Sequence, residues 1–522
     1  MIVKFVCAIL LAALPSSNVF VSGAGDPLIV IPEVASSNGL LMTKLDLVEA
    51  TIDTPDLQLR SRLFNGSLPG PTLRLQPGDT VVIEFCNNLP PGRGNPHANN
   101  QISGPDETNL HFHGLFITGE LPSDDSLLTV LPGECYTYNT TLPQEHLGGT
   151  HWLHPHRHGA TALQVAGGAA AAVIVEDNPS YLPPAQVTQA REVVLVVQQF
   201  DAGEIIGLSQ QSGINDNLAS SPHGNFNLVN GQKSPVVSID AGEWVRFRFV
   251  YAAWRGDKFQ FSISGCETFL LAKDGVYIRD YPRSIGNIIL FLGGRSDVMV
   301  RCPNVNTDYS IGGIATIRTT GNQVTSQPLT PWAITYPPYL QDLRGATVKQ
   351  ECSCRTVVSQ GGGINGYRFD KNRVMHETPL GEVAERRIDA DGHPYHQHVY
   401  PFQLQSGGDG GYIQVGDWYD TFDGGATVRY QPMMFDTKIM VHCHKLEHED
   451  EGMMSIDYVN STFAACTCTA PRPLPWWIIL LAALGGVLVL ATGGYLFFAW
   501  RRGRWPWKRV KQEDPDEEEE EA

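Results

Sequence analysis

Apolar and polar side chains alternate along the clearest segments of the chain. Thr80–Cys86 and Val245–Val250 both follow a turn that contains glycine, and both alternate with a period of two. This period is typical of strands that turn one face toward a core. Each strand is also preceded by a similar Asn-Gly segment, at Phe64–Pro71 and Leu228–Gln232. The pattern predicts an all-β protein in which a Greek-key β-sandwich is repeated.

Proline-containing points suggest where the repeated units end. A chain of 522 residues is long enough for about three to four domains. Its 42% hydrophobic and 18% charged residues are ordinary for a globular protein. Prolines at Pro183, Pro184 and Pro331 mark candidate linkers. We therefore predict three consecutive domains, at residues 25–183, 184–330 and 331–465.

The amino terminus has the pattern of a secretory signal peptide. Lys4 precedes the apolar run Phe5–Leu14, and a small-residue site ends at Ala24. This order predicts that residues 1–24 are removed after Ala24. A buried first strand and an uncleaved anchor are the alternatives.

Near the carboxyl terminus, residues 476–500 form a run of 25 residues without a charge, bounded by tryptophans. Such a run is long enough to span a bilayer as a helix. Residues 466–475 are the linker before this span, and 501–522 form a basic and then acidic tail. The basic residues after the span place the tail in the cytoplasm. The predicted protein is a single-pass type I protein of the cell membrane or another secretory-pathway membrane.

The chain is acidic, with 37 Lys and Arg against 55 Asp and Glu and a net charge of −18. This balance argues against a nucleic-acid partner and would attract a cationic or metal-ion donor. Solubility alone is an alternative reason for the acidity. Sequons at Asn65, Asn139 and Asn460 predict a glycoprotein.

The cysteine count fits an oxidising compartment. Without Cys7 of the signal peptide and Cys443, discussed below, eight of the 10 cysteines remain. An even number allows up to four disulfides, whose connectivity the count leaves open.

Four separated motifs concentrate histidine. They are His111 and His113; His154 and His156; His393, His396 and His398; and His442, Cys443, His444 and His448, followed by Met453. Alternate residues of a strand lie roughly 6 to 7 Å apart, whereas a metal–imidazole bond is about 2 Å long. A His-x-His pair therefore suits neighbouring ions better than one shared ion, and several such pairs predict a multinuclear centre.

Cys443 indicates a second kind of site. Strand alternation turns it away from the face that carries His442 and His444. Together with His393 and His448 it can form the two-imidazole, one-thiolate plane of blue copper, and Met453 can supply the long axial thioether. The remaining eight histidines suffice for three further coppers. The alternative for any one pair is a hydrogen-bonded or exposed structural role, and a lone thiol can also be a packed core residue or part of a zinc site.

These motifs, in this order, resemble the multicopper oxidases over about residues 65–459. The resemblance implies three cupredoxin-like domains and four copper ions. It assigns type 1 copper to His393, Cys443, His448 and Met453, type 2 to His111 and His396, one type 3 ion to His113, His154 and His444, and the other to His156, His398 and His442. It also implies a disulfide from Cys86 to Cys466 or Cys468, which would join the first and third domains.

The resemblance implies that single electrons enter at type 1 copper, pass through Cys443 to His442 and His444, and reduce dioxygen to water at the trinuclear cluster. The wording of the motifs resembles copper-efflux and bilirubin oxidases more than fungal laccases, but only 9 methionines are present and no methionine-rich insertion exists. We therefore expect an electron-rich phenol or aromatic amine as donor. The alternatives are a ferrous or cuprous oxidase, with a metal permease as partner in the ferrous case, and a non-catalytic copper-binding surface protein.

Reduction of dioxygen also needs protons, so carboxylates are expected near the cluster. Glu449 matches a relay position of the family and is predicted to be catalytic. Asp124 or Asp125 is a further candidate. Solvated surface carboxylates are the alternative for each.

Overall fold

A computed structural model describes residues 18–20, 24–53, 58–92, 99–211, 225–359, 362–390 and 392–472. The predicted transmembrane segment 476–500, the tail 501–522 and most of the signal peptide lie outside these residues. In the described part of the chain, no helix is both long enough and apolar enough to cross a membrane.

The fold is all-β, as predicted, and its sheets fall into three groups along the chain. The first group contains β1 (Asn18–Phe20), β2 (Glu33–Ala35), β3 (Leu40–Asp53), β4 (Gln58–Phe64), β5 (Thr72–Leu75), β6 (Thr80–Asn87), β7 (His111–His113), β8 (Cys135–Thr141), β9 (Gly149–His154) and β10 (Ala171–Val175). One sheet has the order β1-β3-β6-β8, with β4 on β3, and the other has the order β2-β5-β10-β9-β7.

The second group contains β11 (Arg191–Asp201), β12 (Asn225–Val229), β13 (Val236–Ala241), β14 (Val245–Ala252), β15 (Phe259–Phe261), β16 (Glu267–Lys273), β17 (Val276–Tyr277), β18 (Arg283–Ser284), β19 (Ile288–Leu290), β20 (Arg295–Arg301), β21 (Asp308–Ile311) and β22 (Ala315–Gln323). Its main sheet has the order β12-β11-β14-β20-β16-β17, with β18 on β16; β13-β22-β21 and β15-β19 form smaller sheets.

The third group contains β23 (Ser353–Ser359), β24 (Gly363–Ile364), β25 (Val374–Pro379), β26 (Ala384–Asp389), β27 (Tyr395–Gln397), β28 (Phe402–Leu404), β29 (Trp418–Tyr419), β30 (Thr421–Phe422), β31 (Ala426–Tyr430), β32 (Thr437–Cys443), β33 (Met454–Asn460) and β34 (Thr467–Cys468). Two sheets form, in the orders β24-β23-β26-β31-β28-β29 and β30-β27-β32-β33-β25-β34.

In the described residues, helices are few and short. They are α1 (Thr161–Ala166), α2 (Ala185–Thr188), α3 (Ala202–Gln211) and α4 (Leu446–Asp450), with 3₁₀ turns at Pro179–Tyr181, Pro338–Leu340 and Gln350–Cys352. The loop between β32 and β33 contains α4, which lies against α1. This contact brings the first and third groups of sheets together beside the histidine motifs.

The structure corrects the disulfide expected from the family resemblance. Cys86 pairs with Cys135, not with Cys466 or Cys468. The reason is strand register, because β6 and β8 are antiparallel neighbours that place Cys86 opposite Cys135. The other bridges are Cys266–Cys302, Cys352–Cys466 and Cys354–Cys468. All eight predicted cysteines are therefore paired, in four disulfides.

Candidate metal centre

Two strand pairs carry most of the histidine motifs. In the first group, β7 pairs with β9, and His111 lies opposite His154. In the third group, β27 pairs with β32, and His396 lies opposite His442. The remaining four histidines of the cluster directly flank these strands or lie on them. All eight are buried: His111, His113, His154, His156, His396, His398, His442 and His444.

The two strand pairs face each other, so histidines from residues 111–156 meet histidines from residues 396–444. The ring of His111 stacks on that of His398 with the centroids 3.8 Å apart, and His113 stacks on His396 at 3.9 Å. The Nε2 atom of His156 lies 3.1 Å from Nε2 of His442. We call these eight residues the histidine cluster.

Most rings of the histidine cluster use one nitrogen for an outward hydrogen bond. The Nδ1 atom of His111 lies 2.9 Å from Asp124 Oδ2, and those of His154 and His396 lie 2.9 Å from the carbonyl oxygens of Pro155 and Asp420. Such bonds fix the tautomer and leave Nε2 as a lone-pair donor.

The other ring nitrogens point inward. The Nε2 atoms of His111 and His396 are buried and have no hydrogen-bond partner among the described residues. His113 is reversed, since its Nε2 faces Asp420 at 3.3 Å and its Nδ1 lies 3.4 Å from His154 Nε2. Buried nitrogens that face one another without donors between them are suited to metal ions.

Burial also favours the neutral, metal-binding form of these rings. It lowers the pKa of His111 and His442 well below the usual value, and nearby histidines lower both further. Burial likewise lowers the pKa of His156 to about 3. The rings of the histidine cluster therefore favour the neutral form at neutral pH, in which each can bind a cation without first releasing a proton.

A second group forms around Cys443, the only free thiol among the described residues. Its Sγ atom lies 3.8 Å from His393 Nδ1 and 3.9 Å from His448 Nδ1, and these two nitrogens are 3.2 Å apart. The three residues qualify as a metal-binding group. Cys443 is fully buried, whereas both histidines are partly exposed. Burial raises the pKa of the Cys443 thiol, so its thiolate needs a bound cation.

Met453 lies next to this group. It is buried, and its carbonyl oxygen accepts a hydrogen bond of 3.0 Å from the Cys443 amide. The turn that contains α4 thus returns the chain from His448 to Cys443. The predicted axial residue is therefore held beside the predicted thiolate.

The predicted acidic residues occupy different places. Glu449 is buried with Oε1 3.7 Å from His156 Nδ1, and burial together with the charge of Asp450 raises its pKa well above the usual range. Asp124 contacts His111, as described above. Asp125 instead pairs with Lys438 at 2.9 Å. Of the two aspartates, only Asp124 is hydrogen-bonded to the histidine cluster.

Two buried residues beside the cluster had no signal in the sequence. Asp420 contacts His113, and Arg295 pairs with Asp420. Neither lies in a histidine motif, and Arg295 comes from the second group of sheets. Only the pairing of β27 with β30, which places His396 opposite Thr421, brings Asp420 to the cluster.

Comparison with known proteins gives consistent family matches over most of the chain. Three family models described as multicopper oxidase match residues 49–93 with 97–180, residues 192–333 and residues 335–461. The chain is 24% identical over 403 residues to a multicopper oxidase of Staphylococcus aureus, covering 75% of this chain and 82% of the relative. It is 31% identical over 252 residues to the iron transport multicopper oxidase fetC of Epichloe festucae, covering 46% and 36%. Laccase-3 of Oryza sativa is 27% identical over 263 residues, covering 48% and 42%.

Solved structures share the fold. A Campylobacter jejuni multicopper oxidase described as a metallo-oxidase matches with a TM-score of 0.63 and 20% identity, covering 84% of this chain and 95% of that one. The McoA multicopper oxidase of Aquifex aeolicus matches with a TM-score of 0.66 and 21% identity, covering 84% and 100%. The fold is therefore all-β, multidomain and cupredoxin-like.

Proposed function

This chain belongs to the multicopper oxidase family of oxidoreductases, and from that premise we propose that it oxidises electron-rich phenols or aromatic amines and passes their electrons to dioxygen. The observation that most strongly supports electron transfer to dioxygen is the position of Cys443 between His442 and His444. Its thiol faces His393 and His448, while the two neighbouring residues belong to the histidine cluster. One short stretch of chain thus joins the two candidate sites.

We assign four copper ions to these sites. His393, Cys443, His448 and Met453 would hold the type 1 ion, and the histidine cluster would hold one type 2 and two type 3 ions. The inward ring nitrogens of His111 and His396 support this assignment, because they lack any other partner among the described residues. Bound copper would supply the one-electron chemistry and the site at which dioxygen is reduced.

The protein itself supplies the electron path. His393 and His448 are partly exposed, so a donor can touch the edge of either ring. From Cys443, covalent bonds lead along the backbone to His442 and His444. Because these residues are adjacent in sequence, the path contains no gap through space.

We propose that Glu449 supplies protons. Burial and the charge of Asp450 raise its pKa, which favours the protonated form beside His156. Its Oε1 also lies 4.0 Å from Nδ1 of His158, which lines an open cavity of 410 Å³ with Phe369 and Asp370. Solvent in this cavity can therefore reprotonate the buried carboxyl group through one intervening ring.

The charged residues near His448 indicate which kind of electron donor the site accepts. Burial lowers the pKa of His448 to about 4, and His393, then Lys445 and Arg255, lower it further. Arg255 pairs with Glu204 and Glu447, and Lys445 lies 3.9 Å from Asp257. These pairs compensate part of the positive charge, and what remains disfavours a free metal cation more than a neutral phenol. This is the reason for proposing an organic donor.

One feature favours a metal oxidase as the second candidate. Glu447 is buried beside His448, burial raises its pKa to about 7, and its Oε2 atom has no hydrogen-bond partner among the described residues. Such a carboxylate can bind a ferrous or cuprous ion next to the electron entry point. In that case a metal permease is the natural partner, and the similarity to fetC is in line with it.

We further propose that the enzyme is exported by the signal peptide at residues 1–24 and anchored by residues 476–500, with the oxidase outside the cytoplasm. The support is the uncharged run of 25 residues and the basic residues after it.

Oxygen consumption by the purified, copper-loaded protein tests the function. We expect uptake with a substituted phenol to exceed that with ferrous or cuprous ion. A kcat/KM for ferrous ion tenfold above the best phenol, about 1.4 kcal/mol in transition-state terms, would favour the metal oxidase. In that case Glu447→Gln should slow ferrous oxidation and leave phenol oxidation unchanged. No uptake with any donor would refute the oxidase.

A further inference from the structure

Arg295 reaches the histidine cluster from the second predicted domain, which carries none of the histidine motifs. It is the first residue of β20 and is fully buried. Its guanidinium binds both oxygens of Asp420, with Nη1 2.8 Å from Oδ1 and Nη2 on Oδ2. We call this the Arg295–Asp420 pair.

Arg295 makes two further hydrogen bonds, both to carbonyl oxygens. Nε donates to the carbonyl oxygen of Thr150 at 3.2 Å, and Nη1 donates to that of Gly293 at 3.1 Å. Thr150 lies on β9, four residues before His154. One side chain therefore links all three groups of sheets at the edge of the cluster.

Asp420 connects Arg295 to two histidines, one directly and one through Thr421. Its Oδ1 lies 3.3 Å from His113 Nε2 and accepts a 2.9 Å hydrogen bond from the Thr421 hydroxyl. The Thr421 hydroxyl in turn lies 3.1 Å from His396 Nδ1. His113 and His396 come from opposite halves of the cluster and stack on each other.

Gly114 makes room for the pair. It follows His113 with φ +89°, and a Cβ atom there would overlap Nη2 of Arg295 and crowd Asp420. A glycine in this position is therefore needed both for the backbone conformation and for the approach of the guanidinium. This gives the His-x-His-Gly motif a reason beyond turn formation.

We propose that Arg295 is a positioning residue for the histidine cluster. By holding Asp420, Arg295 keeps the proton of His113 on Nε2 and turns the Nδ1 atom of His113 toward the cluster. It also fixes the orientation of the His396 ring, which stacks on His113. Hydrogen-bond partners of ligating histidines typically change metal affinity about 10–100-fold when removed. The inference rests on the proposed copper centre, and it makes the second predicted domain part of that centre.

The chain offers a matched control. Arg283, also from the second domain, binds both oxygens of Asp417 at 2.8 Å. Asp417 is buried like Asp420 and lies in the third domain, but the groups that it contacts include no histidine. Arg283→Lys therefore breaks an interdomain pair of the same kind without touching the cluster.

The test uses the full-length mature chain, purified in detergent and reconstituted with copper. Copper per protein is measured during competition with a chelator, with the blue absorption of Cys443 as an internal reference. In Arg295→Lys we expect a 10–100-fold loss of copper affinity in the histidine cluster, an altered paramagnetic copper spectrum and an unchanged blue absorption. Arg283→Lys should resemble the wild type in all three.

Asp420→Asn is the second variant, for the case in which Arg295→Lys does not fold. Its amide keeps the shape of the side chain but can donate to His113 Nε2, so it should shift the spectrum in the same direction. Copper content and spectra equal to those of Arg283→Lys would overturn the positioning role. A wild-type protein that binds no copper would refute the proposed centre instead, so the two failures are distinguishable.

Discussion

Cys443 is the residue on which the proposed electron route depends most directly. Cys443→Ser removes the thiolate but leaves the buried volume nearly unchanged, so we expect the fold to persist while the blue absorption and turnover disappear. The histidine cluster should still bind copper, since none of its members contacts the replaced sulfur. Visible absorption, copper content and oxygen uptake check the three statements. A blue serine variant would contradict the type 1 assignment.

Glu449 lies beside the cluster without being one of its proposed ligands. Glu449→Gln removes a carboxyl group that can carry a proton and keeps its shape, so reoxidation by dioxygen should slow while reduction by the donor stays unchanged. Stopped-flow absorption at the blue band separates the two half-reactions. Glu451→Gln is the control, because Glu451 is exposed on the same turn. Equal slowing in both variants would show that Glu449 has no specific role in proton supply.

Val399 has a backbone conformation that is rare for a β-branched residue. Its φ is +67°, it is buried, and the Tyr400 amide donates to the His398 carbonyl oxygen at 2.8 Å across it. This tight three-residue turn reverses the chain directly after a histidine of the cluster.

We expect Val399→Gly to be more stable than Val399→Ala by about 1 kcal/mol, because both lose the isopropyl group but only glycine relieves the positive φ. Chemical denaturation of the two variants measures the difference. At an ordinary strand position, an alanine variant is more stable than a glycine variant. If Val399→Ala were the more stable variant here, the backbone at this position would not be strained.

At the scale of elements, two disulfides close the third group of sheets at the same place. Cys352–Cys466 and Cys354–Cys468 each span 114 residues, and β34 pairs with β25 between them. Each bridge closes nearly the same loop, which contains both β27 and β32. The second bridge therefore adds little restriction to an unfolded chain that already has the first.

This arrangement predicts strongly non-additive effects. Replacing either cysteine pair with alanine should cost little stability, whereas replacing all four should cost about 4 to 5 kcal/mol, the value for closing a loop of about 100 residues. Denaturant unfolding without reductant provides the three free energies. Removal of Cys266–Cys302 is the control, since no parallel bridge covers its loop. Additive losses at residues 352–468 would refute the shared-loop argument.

At the scale of the whole molecule, we expect that the proposed anchor can be removed without loss of oxidase activity. A chain that ends at Arg472 retains every described strand after β1, which lies within the predicted signal peptide. It should be recovered in the soluble fraction with full activity, while the complete chain should partition with membranes. A complete chain in which residues 476–500 are replaced by a polar linker of equal length is the matched control. Protease added to intact cells should digest the oxidase and spare the acidic tail. The reverse pattern would show that the orientation is wrong.

The sequence by itself determined the all-β class, the four histidine motifs that converge and the eight cysteines that pair. These features depend only on neighbouring residues in the chain or on the number of residues of one type. Alternation along a strand decides which neighbours share a face, so His442 and His444 could be separated from Cys443 without knowing any partner strand. The even cysteine count likewise needs no connectivity.

Only the tertiary structure decided which distant residues meet. Register between β6 and β8 paired Cys86 with Cys135, and register between β27 and β30 brought Asp420 to His113 and His396. Arg246 and Arg248 alternate with phenylalanines as a solvent face would, yet both are buried in ion pairs with Asp297. The physical reason is common to all three cases. A side chain's own strand sets the direction in which it points, but its partner is set by the pairing of strands far away in sequence, which local patterns do not encode.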